Sequence, residues 1–103
     1  MLVEILYFEG CPNHAAARAL VEQVSHELAV HPDSRMVQVP DAEAAARLRF
    51  LGSPTVRIDG DDIEPGADRR DQFMLAGRVY RTDSGFAGVP DERWLHDRLA
   101  PSG

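Results

Sequence analysis

The first thirty residues pair a short apolar strand pattern with an amphipathic helix pattern, and this pair constrains the fold more than any other feature. Residues 2–8 (LVEILYF) are apolar except for Glu4 and rich in aromatic and branched side chains, which is typical of a buried strand. Gly10 interrupts the strand. Pro12 suits the first turn of a helix, because its missing N–H needs no partner there. The pattern predicts a strand that turns directly into a helix.

Apolar residues at three- and four-residue steps predict that this helix covers residues 14–30. They are Ala17, Leu20, Val21, Val24 and Leu28. Pro32 ends the helix, and residues 36–39 form a second short strand. Strands joined by a helix pair in parallel, so the first two strands should lie side by side with a right-handed crossover.

The rest of the chain supplies four further elements. Apolar patterning and turn residues predict a helix at 42–49, strands at 53–59 and 78–82, and a helix at 91–99. Asp41 is the expected N-cap of the second helix, and Gly52 lies just past its end. The order β-α-β-α-β-β-α predicts one α/β domain over residues 1–103, with a four-stranded mixed sheet flanked by helices.

Residues 60–77 fit this pattern poorly, because they are too long for a tight hairpin. Loops of this length are usually functional or mobile, and we expect a surface excursion anchored by Phe73, Met74 and Leu75. An acidic cluster lies at the start of this segment, but it lacks the ligand spacing of a calcium loop and predicts a solvated turn; its members are Asp59, Asp61, Asp62 and Glu64.

Composition excludes several classes of function. The net charge is −6 and no basic stripe is present, so nucleic acid is not an expected partner. No segment approaches the ~20 apolar residues that cross a bilayer, and residues 1–8 lack the basic leader of a signal peptide. We therefore expect a cytoplasmic protein without a membrane partner. Three histidines are expected at the surface without an acid or thiol partner: His26, His31 and His96.

The single thiol, Cys11, is the strongest candidate for chemistry. A cysteine just before a helix has backbone N–H groups and the positive end of the helix dipole nearby, and both favour the reactive thiolate. A carboxylate at Glu9 would oppose this effect, whereas a protonated His14 would support it. The alternatives are that Cys11 is a small buried hydrophobe and that His14 is a solvated residue.

Two short motifs carry a resemblance to a known superfamily. Residues 7–14 (YFEGCPNH) end the first strand, and residues 53–55 (Ser-Pro-Thr) open the third. Together they resemble the thioredoxin/glutaredoxin superfamily, over nearly the whole chain in element order. More narrowly, the chain is similar to small bacterial thioredoxin-like proteins with a Cys-Pro-Asn start, some of which carry an alkylmercury-lyase label.

The resemblance implies a substrate-binding set around the thiol. It implies a cis peptide bond before Pro54 and a Ser53 backbone that pairs with a bound peptide or thiol as an added strand. The turn at residues 85–88 would lie beside Cys11, where glutaredoxin-like members bind a tripeptide thiol. The implied set is Pro12, Ser53, Pro54, Thr55, Gly85 and Gly88. The alternative at Pro54 is a trans proline that starts a strand.

The chain departs from the dithiol members of this superfamily, because His14 stands where their second cysteine lies. We therefore expect Cys11, with His14 beside it, to exchange disulfides or form mixed disulfides as a single thiol. A protein or a small thiol such as glutathione would be the partner, with no metal or other cofactor. The alternatives are a non-catalytic binding module and the binding of a soft metal or an organomercurial by the thiol. Carbon–mercury cleavage in the resembled lyases uses two thiols and an acid.

Overall fold

Strand β1 (Leu2–Tyr7) occupies the interior of a four-stranded sheet in the computed structural model, which describes residues 1–101. The other strands are β2 (Asp33–Gln38), β3 (Thr55–Ile58), β4 (Asp61–Asp62), β5 (Tyr80–Thr82) and β6 (Gly85–Ala87). The helices are α1 (His14–Glu27), α2 (Ala42–Arg47) and α3 (Glu92–Leu99), with a 3₁₀ turn at Ala67–Arg69.

The sheet has the strand order β2-β1-β3-β4. Strand β1 pairs in parallel with β2, where Ile5 lies opposite Met36, and antiparallel with β3, where Ile5 lies opposite Val56. The prediction of an α/β fold with a four-stranded mixed sheet and helices is therefore confirmed. No helix within residues 1–101 is long and apolar enough to span a membrane.

The strand predicted at 78–82 is present at Tyr80–Thr82, but its predicted place as the fourth strand of the sheet is wrong. Asp59 and Gly60 both have left-handed backbone angles, with φ of 51° and 89°, so the chain reverses immediately after β3 and residues 61–62 become the edge strand. An Asp-Gly pair is a strong signal for such a hairpin. Strands β5 and β6 instead form a separate two-stranded ribbon. Residues 60–77 therefore contain a strand and a 3₁₀ turn, and are not a simple surface loop.

Helices α1 and α2 both end earlier than the sequence pattern predicts. In α1, Ala29 takes a left-handed conformation with φ of 54°, and the amide of Val30 donates to Ser25 O at 3.0 Å. In α2, Arg49 has φ of 55°, and the amide of Phe50 donates to Ala45 O at 2.8 Å. Both are Schellman C-caps. The left-handed residue is usually glycine, so neither end was visible in the sequence.

Local hydrogen bonds determine where helices α2 and α3 begin and where strand β2 begins. Asp41 caps α2 as predicted, accepting from the amide of Ala44 at 2.8 Å. Asp91 caps α3 by accepting from the amide of Arg93. Strand β2 begins at Asp33, three residues before the predicted start, because its pairing with β1 continues to the chain start through an Asp33 N to Met1 O bond of 2.9 Å.

Apolar side chains cover both faces of the sheet, so the strands separate two clusters. Helices α1 and α3 pack on one face, with a core that includes Val3, Ile5, Val56, Ile58, Val21 and Leu95. The segment with α2 packs on the other face, around Leu6, Val39, Ala45 and Phe50. The alternation of Ile5 and Leu6 to opposite faces is the period-two geometry of a strand. This arrangement places the end of β1 and the start of β3 next to each other at one edge of the core.

We predict that Ala29→Gly stabilises the protein by about 1 kcal/mol, because glycine adopts the left-handed C-cap conformation without the steric cost that alanine carries. Ala19→Gly is the matched control. Ala19 is also exposed but lies inside α1, so the same substitution there should destabilise by about 1 kcal/mol. Urea unfolding monitored by circular dichroism measures both changes; two changes of the same sign would contradict the C-cap assignment.

Candidate functional site around Cys11

Cys11 lies in the loop between β1 and α1 and is a free cysteine that is 3% exposed. Its amide donates to Phe8 O at 3.1 Å, which folds the loop back onto the end of β1. It belongs to neither apolar cluster. Helix α1 begins at His14, after Cys11, and no hydrogen bond within residues 1–101 reaches the cysteine sulfur. The predicted contact of helix N–H groups with the sulfur is therefore absent from this part of the chain.

His14 contacts the backbone of Cys11. Its Nδ1 lies 2.7 Å from Cys11 O, and since a carbonyl only accepts, Nδ1 carries the hydrogen. The imidazole stacks on Tyr7, with ring centroids 4.8 Å apart and planes 15° apart. These two contacts fix the ring and hold the Cys11 carbonyl. His14 is therefore placed to position the thiol's backbone, and the described hydrogen bond does not go to the sulfur.

The Ser53–Pro54 peptide bond is cis, as the resemblance implied. The register that pairs Leu6 with Thr55 continues so that the chain after β1 faces this bend, and the amide of Phe8 lies 3.4 Å from Ser53 Oγ. The carbonyl of Phe8 also accepts a hydrogen bond from the amide of Cys11. One residue thus connects the loop that carries Cys11 with the bend at Ser53. The two motifs that the sequence singled out are neighbours in the fold.

The backbone of Ser53 is already paired with the chain itself. Its amide donates to Ala76 O at 2.8 Å, and its carbonyl accepts from the amide of Arg78 at 2.9 Å, which forms a parallel bridge opposite Gly77. We call residues 76–78 the covering segment. The resemblance implied that this backbone is open to a bound peptide, but the covering segment occupies it. The implied open backbone at Ser53 is therefore wrong, because the long 60–77 segment folds back and brings residues 76–78 against this bend.

A buried arginine anchors the covering segment. The side chain of Arg78 is 1% exposed and makes a two-pronged contact with Asp62, at 2.7 and 2.9 Å, and a third bond of 2.9 Å to Glu64. It also donates to Thr55 Oγ1 at 3.0 Å. The prediction that the acidic residues form a solvated turn is therefore wrong for two of them. Asp62 and Glu64 are largely buried partners of Arg78. A buried guanidinium needs such partners.

Tyr80 completes this network beneath the bend. Its hydroxyl donates to Pro54 O at 2.5 Å, and the guanidinium of Arg78 lies 4.3 Å from the centre of its ring. Burial raises the pKa of the Tyr80 phenol; Arg78 acts in the opposite direction without reversing the shift. Burial alone would lower the pKa of Arg78, but its bonds to the carboxylates outweigh this and raise it. Tyr80 therefore remains a donor and Arg78 remains charged.

No pattern in the sequence predicted Arg78 and Tyr80 as site residues. Each is separated from its partners by 14 to 26 positions, at spacings that match no local motif. The available signal was an arginine two positions before a tyrosine, together with two acids in the 60–77 segment. That combination fits a buried ion pair, although it does not identify the partners.

The predicted glycines lie at different places on the β5–β6 ribbon. Gly85 is the first residue of β6, where its carbonyl accepts from Thr82 Oγ1 at 2.7 Å. Gly88 follows β6 and packs against Asn13, so closely that a Cβ on Gly88 would overlap the Asn13 side chain. Gly88 therefore lies beside Asn13 at the start of α1, and the place of residues 85–88 beside Cys11 stays a prediction. Gly85 has no described contact there, and Pro12 is exposed.

Two features lie away from Cys11. A groove of ≈ 750 Å³ follows the β3–β4 edge, and its lining includes Arg57, Asp61, Phe73 and Trp94. On α3, His96 Nε2 lies 3.1 Å from Glu27 and 3.3 Å from Glu92. The expectation that His96 lacks an acid partner is therefore wrong, because Glu92 precedes it by one helical turn.

Comparison of the chain with protein-family models, with curated proteins and with solved structures finds no match.

We predict that Tyr80→Phe lowers the free energy of unfolding at neutral pH by about 1–3 kcal/mol, because the buried Pro54 carbonyl loses its donor. The raised pKa of Tyr80 also predicts the alkaline behaviour. The wild-type stability from this group is present below the unfolded phenol pKa of about 10 and falls as the pH rises above it, so Tyr80→Phe should flatten that fall.

The matched control is Tyr7→Phe, which removes a phenol but keeps the ring that stacks on His14. Urea unfolding at a series of pH values measures both variants. Equal effects of the two substitutions at neutral pH would show that the Tyr80–Pro54 hydrogen bond does not contribute.

Proposed function

We propose that this chain is a thioredoxin-like protein that forms a mixed disulfide through Cys11 with a small thiol. The observation that supports the proposal is the placement of the thiol: Cys11 follows the central strand, precedes α1, and is connected through Phe8 to the bend at Ser53. Because this placement holds the single sulfur at the junction of two motifs, it favours chemistry over simple packing.

The proposed reaction is one exchange step. The thiolate of Cys11 attacks one sulfur of a small disulfide, RS–SR; the Cys11 S–SR bond forms and the RS–SR bond breaks. The second half leaves as RS⁻ and takes a proton from solvent. The thiol proton of Cys11 is lost before the attack. Residue 14 is histidine and cannot resolve the mixed disulfide, so a second small thiolate, R′S⁻, attacks its RS sulfur. The R′S–SR bond forms, the Cys11 S–SR bond breaks, and Cys11 leaves as the thiolate.

Neighbouring residues position the sulfur in this proposal. His14 holds the Cys11 carbonyl, and Ser53 Oγ holds the amide of Phe8. Residue Cys11 is 3% exposed, so only a small group can approach it without movement of the loop. Restricted access also favours small thiols over large ones in the attack on the mixed disulfide.

A second candidate function is ligand binding without turnover. The groove of ≈ 750 Å³ at the β3–β4 edge favours it, because the groove is formed without Cys11. The two candidates differ in their need for the sulfur. Cys11→Ser would abolish the first function and leave the second intact.

We predict that the native protein gains the mass of one RS group when mixed with oxidised glutathione or cystamine, and that Cys11→Ser gains none. The control is Ser34→Cys in the Cys11→Ser protein, which places a lone thiol on the exposed edge strand β2. Intact-mass spectrometry measures the products and the release of RS⁻. If wild type reacts only after unfolding in urea while the Ser34→Cys control reacts when folded, Cys11 is a structural residue and the proposal fails.

A further inference from the structure

We propose that the covering segment makes Cys11 selective for small disulfides and excludes extended peptides. This inference rests on the proposed function. Its starting point is the pairing of Ser53, whose amide and carbonyl both bond to residues 76–78. A backbone N–H donates one such bond at a time, so an incoming strand would have to displace Ala76 O before it could pair with Ser53.

The covering segment is held from both directions along the chain. On the side before Ala76, the amide of Met74 donates to Phe50 O at 3.1 Å. On the other side, Arg78 is fixed by Asp62 and Glu64 with 1% of its side chain exposed. Displacing the segment would pull a charged group away from its carboxylates. Strand addition at Ser53 is therefore opposed by the fold, because an exposed edge is what a peptide needs for this mode of binding.

A further contact limits the approach beside α1. Gly88 packs against Asn13 without room for a Cβ between them, so the end of the β5–β6 ribbon abuts the loop that carries Cys11. Residue Cys11 as a whole is 3% exposed. A short linear disulfide needs only a narrow path to a sulfur, whereas a peptide also needs backbone partners. The favoured co-substrate class is therefore a low-molecular-weight disulfide.

Two probes with the same leaving group test this selectivity. One is N-acetylcysteine joined to 2-thiopyridine; the other is an extended peptide of about eight residues, with the same activated cysteine at its centre. Both release thiopyridone, so absorbance gives both rates. We expect the native protein to react faster with the small probe by at least about tenfold, after division by the rate ratio for a free thiol. Equal corrected rates would overturn the inference and leave the proposed function intact.

The anchoring arginine supplies the variant test. Arg78→Ala should loosen the covering segment and bring the corrected peptide rate up towards the small-probe rate. Arg81→Ala is the matched control, because Arg81 is the exposed arginine of β5 and should leave the selectivity unchanged. Increased peptide reaction in both variants, or unchanged selectivity in a folded Arg78→Ala protein, would contradict the role of Arg78.

Amide hydrogen exchange tests the covering segment even if Arg78→Ala does not fold or Cys11 does not react. The amides of Ser53 and Arg78 should both be protected in the native protein, since each donates to the other segment. If neither probe reacts while both amides are protected, the proposed function fails and the closed edge is retained. Rapid exchange of both amides would show an open edge and overturn the inference.

Discussion

The buried guanidinium of Arg78 is the interaction on which the rest of this site depends. Its partners come from β4 and the loop after it, and its own backbone pairs with Ser53. Taking an arginine out of water is costly, and three charge-assisted bonds to carboxylates offset the cost only because their geometry is good. Within residues 1–101, its Nε is a buried donor without a partner. The hydrogen bonds therefore hold the guanidinium in one position, although one of its donors is left without a partner.

This network explains why a two-residue strand persists at the edge of the sheet. Strand β4 makes few ladder bonds of its own, but Asp62 is held by Arg78 as well as by its pairing with Arg57. The backbone of the same arginine pairs the covering segment with Ser53, and the Tyr80 hydroxyl donates a hydrogen bond to the Pro54 carbonyl. The side-chain contacts of Arg78 thus accompany the pairing of the Ser53 backbone within the chain.

The sequence predicted the parts of the fold that depend on local pattern. The strand-to-helix junction at Cys11 and the N-cap at Asp41 were expected, because each follows from a short run of residues. The cis bond before Pro54 was expected only from the family resemblance. Prediction failed where the signal was non-local or atypical. Left-handed C-caps at Ala29 and Arg49 lack the usual glycine.

The site shows the same division. The positions of Cys11, His14 and Ser53 near the β1–β3 edge follow from topology. The pairing of the Ser53 backbone does not follow from topology, because it depends on where the eighteen-residue segment 60–77 comes back to the sheet. The position of that segment depends on the ion pairs of Arg78 with acids that are distant in the sequence. Burial of a charged residue is decided by its partners, and composition does not reveal them.

A double-mutant cycle between Arg78 and Asp62 tests the central claim most directly. Unfolding free energies of wild type, Arg78→Met, Asp62→Asn and the double variant give the coupling energy, which should be about 2 kcal/mol or more for a buried pair. The exposed pair Arg18–Glu22 provides the reference cycle, with an expected coupling of about 0.5 kcal/mol. A coupling for Arg78 and Asp62 no larger than this reference would contradict the account, because the covering segment would then have no anchor.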